Sequence, residues 1–226
     1  MNQLALPLKL QDHAVFESFW SAGNDAAVAC LTDLASGGEG PGCWIWGRRS
    51  TGKTHLLQSV CERMGDRSVY VPLADFVDAG AGLIDGLGRR DCICLDDVDR
   101  VARHGDWERA LFALCNQVVD TGGILVVAAT STPRECGFAL ADLESRFSRL
   151  PVFHLQPLAD TDRVRALQMR ARHRGLDLPD ETAVYLLSRS KRDMASLYDA
   201  LDQLDSAALQ AQRRLTIPFV RQALDL

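Results

Sequence analysis

Short apolar segments alternate with amphipathic ones through the first two thirds of the chain, and this alternation predicts strands and helices in turn. Apolar residues recur at helical spacing at 24–34, 56–64 and 107–119. Continuous apolar strands between helices are typical of a parallel sheet covered on both faces. We therefore expect an α/β domain with a five-stranded parallel sheet, its strands at 43–46, 68–72, 91–95, 124–129 and 152–155.

The pattern changes after residue 156, from where only helices are predicted. Helical segments at 160–174 and 180–190 are followed by a third helix and by a fourth that starts near Pro218. The expected domains are an α/β base at 13–156 and a small all-helical lid at 157–226. Residues 1–12 show no helical face and form a separate N-terminal segment.

Composition and charge narrow the class of protein. The longest strongly apolar run, 124–129, is too short to cross a bilayer, and the N-terminus has no basic region followed by an apolar stretch. Both observations favour the cytoplasm and no membrane partner. The net charge of −5 argues against broad non-specific DNA binding. The seven cysteines have no metal-ligand spacing, which favours small buried hydrophobic residues.

The turn after the first predicted strand carries a phosphate-binding sequence, GRRSTGKT, which fits G-x-x-x-x-G-K-[ST]. In such a loop, backbone N–H groups wrap a polyphosphate, the lysine reaches the terminal phosphates and the threonine hydroxyl ligates Mg²⁺. The following helix directs its positive end at the same anion. The predicted nucleotide-binding residues are Gly47, Arg48, Arg49, Ser50, Thr51, Gly52, Lys53, Thr54 and His55.

A pair of carboxylates follows the strand at 91–95. P-loop nucleotidases hold Mg²⁺ with a carboxylate at such a strand tip, and a neighbouring group orients or deprotonates the attacking water. We assign Asp96 to the metal, together with Thr54, and Asp97 to the water. Thr130 ends the next apolar strand, where it either faces the terminal phosphate or caps the strand.

The sequence leaves the role of the arginines in two places undecided. Arg146, in a Ser-Arg-Phe sequence, can reach a nucleotide on a neighbouring subunit as arginine fingers do, although spacing alone favours an ordinary surface residue. Five more crowd the first lid helix and either solvate one face or contact DNA or an acidic partner: Arg163, Arg165, Arg170, Arg172 and Arg174.

In this order, the motifs resemble the AAA+ superfamily and, within it, the ATPase core of the bacterial replication initiator DnaA. DnaA also carries an N-terminal interaction domain and a C-terminal DNA-binding domain, for which this sequence has no room. The chain is similar over nearly its whole length to the Hda family of DnaA-like regulators, including its segments 200–205 and 215–220.

The resemblance implies partners. Members of that family promote ATP hydrolysis on DnaA while they are docked on the DNA-loaded sliding clamp, the β subunit of DNA polymerase III. Arg146 then corresponds to an arginine finger acting in trans, and DNA is contacted indirectly at the nucleoid and replisome. A homodimer or higher homo-oligomer is expected, because AAA+ sites usually lie between subunits. The clamp-binding peptide corresponds to Gln3, Leu4, Leu6, Pro7 and Leu8.

One position departs from the AAA+ pattern. Ala195 aligns where a lid arginine usually meets the phosphates, and Arg192, about one turn earlier, is the candidate substitute. Such a site suits a protein that holds ADP as a structural ligand. We expect ADP or ATP with Mg²⁺ as cofactors, and weak or no ATP hydrolysis by the chain alone. The alternative is an autonomous AAA+ ATPase, a DnaA-like protein or helicase loader. A small-molecule kinase is disfavoured by the Asp-Asp pair, Arg146 and the helical cap.

Overall fold

A five-stranded parallel sheet forms the centre of the first of two compact units. The computed structural model describes residues 14–190, 193–211 and 214–225. The spatial order of the strands is β2-β3-β4-β1-β5, with every neighbouring pair parallel. This confirms the predicted fold class. The strands are β1 (Gly42–Trp46), β2 (Ser68–Pro72), β3 (Cys92–Asp96), β4 (Ile124–Ala129) and β5 (Val152–His154).

Helices cover both faces of this sheet. α1 and α2 pack together on one face, while α4 and α5 share the core on the other, where the Trp44 and Phe147 rings lie 5.2 Å apart between centroids. Strands buried on both sides need apolar residues at every position, which explains their continuous apolar runs. The helices of this unit are α1 (Asp25–Ala35), α2 (Lys53–Met64), α3 (Leu73–Phe76), α4 (Gly105–Thr121) and α5 (Ala141–Phe147).

The register of the sheet brings the carboxyl ends of four strands together. Trp46 of β1 pairs with Ala129 of β4, and Asp96 of β3 pairs with Pro72 of β2. In a parallel sheet these carboxyl ends form one edge. The P-loop, the Asp96–Asp97 pair and Thr130 therefore leave the sheet at the same edge.

The second unit is helical and consists of Glu17–Gly23 with the described residues of Gln156–Leu226. Its core is built from fully buried leucines, including Leu197, Leu201 and Leu204. Burial of each contributes about 1.5–3 kcal/mol relative to exposure. Its helices are α6 (Asp160–His173), α7 (Asp180–Arg189), α8 (Met194–Ala211) and α9 (Ile217–Ala223).

Two features of the helical unit differ from the sequence-based expectation. Residues 17–23 belong to it, because Trp20 packs on its core and donates from Nε1 to Asp162 over 3.0 Å. The interpretation of the α6 arginines as a solvated face is wrong for Arg170, which is 2% exposed and lies 4.2 Å from the Tyr198 ring centroid. Arg174 is also withdrawn from solvent and bonds to Asp202. No helix within the described ranges has the length and hydropathy needed to span a membrane.

Candidate nucleotide-binding site

The loop between β1 and α2 is bent tightly at its glycines. A Cβ on Gly47 would lie 2.7 Å from the Leu155 carbonyl oxygen and 3.0 Å from Thr51 Oγ1, so a side chain there would collide with the protein. Gly52 precedes α2 with a φ of +95°, and Ser50 has a φ of +60°. Successive left-handed turns of this kind direct backbone N–H groups into a concave surface that suits an anion. The loop thus fits the phosphate cradle predicted from its sequence.

Lys53 lies across this loop. Its Nζ donates to the carbonyl oxygens of Gly47 at 2.9 Å and Arg48 at 3.1 Å, and the residue is 7% exposed. Burial lowers the pKa of the Lys53 ammonium, and the negative charges of Asp96 and Asp97 oppose that shift. The ammonium is therefore held against the backbone of the loop, with its long side chain already ordered.

Asp96 is brought together with Thr54 as the sequence predicted. Thr54 Oγ1 donates to Asp96 Oδ2 over 2.6 Å, and the Asp97 backbone N–H donates to Asp96 Oδ1 over 3.0 Å. Asp96 is 2% exposed, so its carboxylate depends on these donors. A hydroxyl beside a carboxylate is the oxygen-rich donor set that Mg²⁺ prefers. The residues present therefore fit the predicted metal.

Tyr70 is a residue of this site that the sequence analysis missed. Its hydroxyl donates to Asp96 Oδ2 over 2.9 Å from the neighbouring strand β2. Burial and then the charge of Asp96 raise the pKa of the Tyr70 hydroxyl well above its ordinary value, so it remains a donor. The signal was a tyrosine in the middle of a short strand, but only the strand order shows that it adjoins Asp96.

Asp97 directly follows β3, which ends at Asp96. It has a φ of +53° and is half-buried. Burial and then the charge of Asp96 raise the pKa of the Asp97 carboxyl. A raised pKa moves a carboxylate toward the range in which it can accept a proton from water at neutral pH. The assignment of Asp97 to the attacking water stays a prediction.

Two residues that are predicted to contact the nucleotide form hydrogen bonds to protein groups. Thr130 Oγ1 donates to Asp99 Oδ2 over 2.6 Å, so the tip of β4 is tied to the segment that follows Asp97. The His55 ring lies 2.9 Å from the Val15 carbonyl oxygen, to which Nε2 donates because a carbonyl only accepts. Six of the predicted site residues lie outside the described residues: Arg192, Gln3, Leu4, Leu6, Pro7 and Leu8.

Arg146 is not brought to the P-loop. It lines a cavity of about 400 Å³ with residues 40–41, which precede β1, and 122–123, which precede β4. The P-loop follows β1, at the opposite edge of the sheet. A strand of five residues spans about 17 Å. The phosphate-binding loop and Arg146 therefore lie at opposite edges of one sheet.

Two family models match the chain. The model for the ATPase family associated with various cellular activities (AAA) matches residues 43–155, which is half of the chain, and the Hda lid domain model matches residues 160–224. The first match contains the sheet, the P-loop and the acidic pair. The second contains all four helices of the lid.

Solved structures share the fold. Domain III of the Thermotoga maritima replication initiation protein DnaA has a TM-score of 0.77 at 21% identity, covering 96% of this chain and 98% of that one. AMPPCP-bound DnaA from Aquifex aeolicus has a TM-score of 0.71 at 22% identity, covering 90% and 68%. The Thermotoga maritima RuvB Holliday junction branch migration motor has a TM-score of 0.60 at 16% identity, covering 91% and 68%. By its base, the chain belongs to the AAA family of ATPases, and its lid matches that of the Hda family.

Proposed function

We propose that this chain is a nucleotide-binding regulator that stimulates ATP hydrolysis on DnaA and so restrains the initiation of chromosomal replication. The observation that carries the proposal is the separation of Arg146 from the P-loop across the sheet. One arginine side chain cannot bridge a strand length of about 17 Å. Arg146 is therefore out of reach of the chain's own nucleotide, and we assign it to a nucleotide held by another protein chain.

The trans arrangement explains how a protein can be active without much turnover of its own. An arginine finger accelerates phosphoryl transfer about 10³–10⁵-fold. A single copy of the chain presents no Arg146 to its own phosphates. Its resident nucleotide is therefore hydrolysed slowly, while the arginine remains available to a partner.

The chain's own site is suited to hold ADP or ATP. Lys53 and the loop N–H groups would bind the phosphates, Thr54 and Asp96 would hold Mg²⁺, and Asp97 is the residue that we assign to the attacking water. Bound Mg²⁺ supplies charge neutralisation between the terminal phosphates. Bound nucleotide with Mg²⁺ would fix the loop and the β3 tip relative to each other, since the phosphate-binding residues lie in the loop and Asp96 lies at the tip.

The clamp is the second proposed partner. The sequence at 3–8, QLALPL, resembles the clamp-binding peptide of the Hda family. An extended segment of this kind inserts alternate leucines into an apolar groove. Tethering to a clamp loaded on DNA raises the effective concentration near DnaA without adding any contact to DnaA itself.

The proposal is tested with ATP-loaded DnaA, clamp loaded on DNA, and the purified chain, by following conversion of DnaA-bound ATP to ADP. We expect Arg146→Ala to lower the maximal stimulated rate about 10³-fold, as loss of a finger does. Arg149→Ala is the matched control, because this exposed arginine lines the same cavity and should leave the rate unchanged. Equal stimulation by both variants refutes the finger assignment.

Two further outcomes separate the alternatives. Deletion of residues 3–8 should raise the concentration needed for half-maximal stimulation by about 10²-fold, the lower range of tethering effects. An unchanged concentration refutes clamp tethering. Rapid ATP hydrolysis by the chain alone, with no effect on DnaA, would instead identify an autonomous ATPase.

A further inference from the structure

A buried carboxylate joins the nucleotide site to the helix that bears Arg146. We propose that Glu108 of α4 is a positioning residue that couples the segment after Asp97 to α5. The inference rests on the proposed function and deepens it, because it states how occupancy of the chain's own site reaches the arginine offered to a partner.

Glu108 accepts three backbone hydrogen bonds from two different segments. Oε1 accepts from the N–H of Arg103 at 2.6 Å and of Ala139 at 3.0 Å, and Oε2 accepts from the N–H of Leu140 at 2.7 Å. The residue is 1% exposed. A carboxylate is rarely buried this deeply, and its cost is offset only while its acceptors are satisfied. The two segments are thus held by one rigid group.

The first segment leads directly back to the nucleotide site. A 3₁₀ turn at Val98–Val101 follows Asp97, and the Arg100 N–H donates to the Asp97 carbonyl over 2.9 Å. The turn is anchored by the bond between Asp99 and Thr130 at the tip of β4. Two residues after the turn, Arg103 has a φ of +66° and donates its N–H to Glu108.

The second segment leads to Arg146. Leu140 precedes α5, and its carbonyl accepts the first intrahelical bonds, from Leu143 N at 3.0 Å and Glu144 N at 3.2 Å. Leu143 and Phe147 of this short helix are fully buried, so we expect α5 to shift as one body with its first turn. Arg146 lies six residues beyond Leu140, about 9 Å along the helix axis.

These contacts form a continuous path of bonded groups. If a rearrangement at Asp97 shifts the 3₁₀ turn, either Leu140 moves with it or hydrogen bonds to the buried Glu108 carboxylate break. A ligand that fixes Asp96 and Asp97 therefore selects the position of α5 and of Arg146. A purely structural Glu108 would support stability without any such response.

The test is backbone hydrogen exchange on the full chain, with and without ADP and Mg²⁺. In the unsubstituted chain, we expect slower exchange both in 52–57 and in 141–147, the latter by about fivefold, the lower range of coupling between sites. In Glu108→Gln, at least one of the three N–H groups loses its acceptor, because an amide presents a single oxygen. We expect protection at 52–57 to persist while the response at 141–147 is lost.

Glu135→Gln is the matched control. Glu135 also accepts from a backbone N–H and a hydroxyl, but both belong to Thr132, so it joins no distant segments. This variant should keep both responses. Asp99→Asn weakens the bond to Thr130 that anchors the 3₁₀ turn, and it should reduce the slowing of exchange at 141–147. This variant provides a second test if Glu108→Gln folds poorly.

The outcomes are distinguishable. Retention of the 141–147 response in Glu108→Gln, or its absence from the unsubstituted chain while 52–57 is protected, overturns the coupling. Absence of protection at 52–57 in the unsubstituted chain contradicts nucleotide binding and with it the proposed function. In the DnaA assay, the coupling predicts that Glu108→Gln lowers the maximal rate but leaves the half-maximal concentration unchanged.

Discussion

Replacement of Tyr70 by phenylalanine isolates one hydrogen bond at the centre of the nucleotide site. The Tyr70 hydroxyl donates to Asp96 Oδ2 over 2.9 Å, and the two residues are 8% and 2% exposed. Phenylalanine keeps the ring, so only the hydroxyl is lost. A hydrogen bond to a charged group contributes about 1.5–3 kcal/mol. We expect the free energy of unfolding to fall by about 2 kcal/mol.

Urea denaturation at pH 7, followed by tryptophan fluorescence, measures this loss. With a slope of about 2 kcal/mol/M, the midpoint should fall by roughly 1 M. Tyr185→Phe is the control, because among the described residues the Tyr185 hydroxyl has no hydrogen-bond partner, and its midpoint should not change. Equal midpoints for the two variants would refute the assignment of a stabilising bond to Tyr70.

The difference in stability between the unsubstituted chain and Tyr70→Phe depends on pH through the pKa of Tyr70. Burial and the charge of Asp96 raise this pKa above its ordinary value of 10.0. A raised folded-state pKa gives stability that is complete below the unfolded pKa and is lost as pH rises through the folded pKa. The difference between the unsubstituted chain and Tyr70→Phe should therefore be constant from about pH 6 to 9 and shrink above about pH 10. A difference that varied between pH 6 and 9 would contradict this reasoning.

Two more substitutions follow from buried charges. Asp97→Asn should raise the denaturation midpoint at pH 7, because a raised carboxyl pKa means that the ionised form destabilises the fold. This gain in the midpoint should disappear below about pH 4, where the carboxyl is protonated. A lower midpoint at pH 7 would contradict the prediction. Arg170→Met should leave the lid at least as stable as in the unsubstituted chain. Arg170 is buried, and its Nε has no hydrogen-bond partner among the described residues. Buried charges of this kind are often replaced by apolar residues without loss of stability. Arg170→Ala should cost about 2–5 kcal/mol through the cavity that it leaves, and the lid unfolding midpoints of the two variants test the comparison.

The centre of the site was predictable from the sequence because its parts follow strands directly. In a parallel sheet, the residues after each strand reach one edge, so Thr54 and Asp96 were expected together although they lie 42 residues apart. The strands themselves are recognisable by continuous apolar runs. No knowledge of strand order was needed for either inference.

The rest depended on which elements become neighbours. Tyr70 reaches Asp96 only because β2 lies beside β3, and periodicity gives no strand order. Glu108 occupies a helical position like any acidic residue, and its role depends on backbone groups 31 and 32 residues away. Arg170 looked like a solvated residue until α8 placed Tyr198 over it. Non-local contacts of this kind leave no local pattern.

The central claim is that the P-loop and Arg146 of one chain serve different nucleotides. The most direct test is titration of ADP with Mg²⁺ into the Arg146→Ala chain, at protein concentrations where the chain is monomeric. The account predicts a dissociation constant within about twofold of the unsubstituted chain, because Arg146 lies a strand length of about 17 Å from the loop. A rise of about tenfold, equivalent to 1.4 kcal/mol, would show that Arg146 contacts the chain's own nucleotide and would contradict the account.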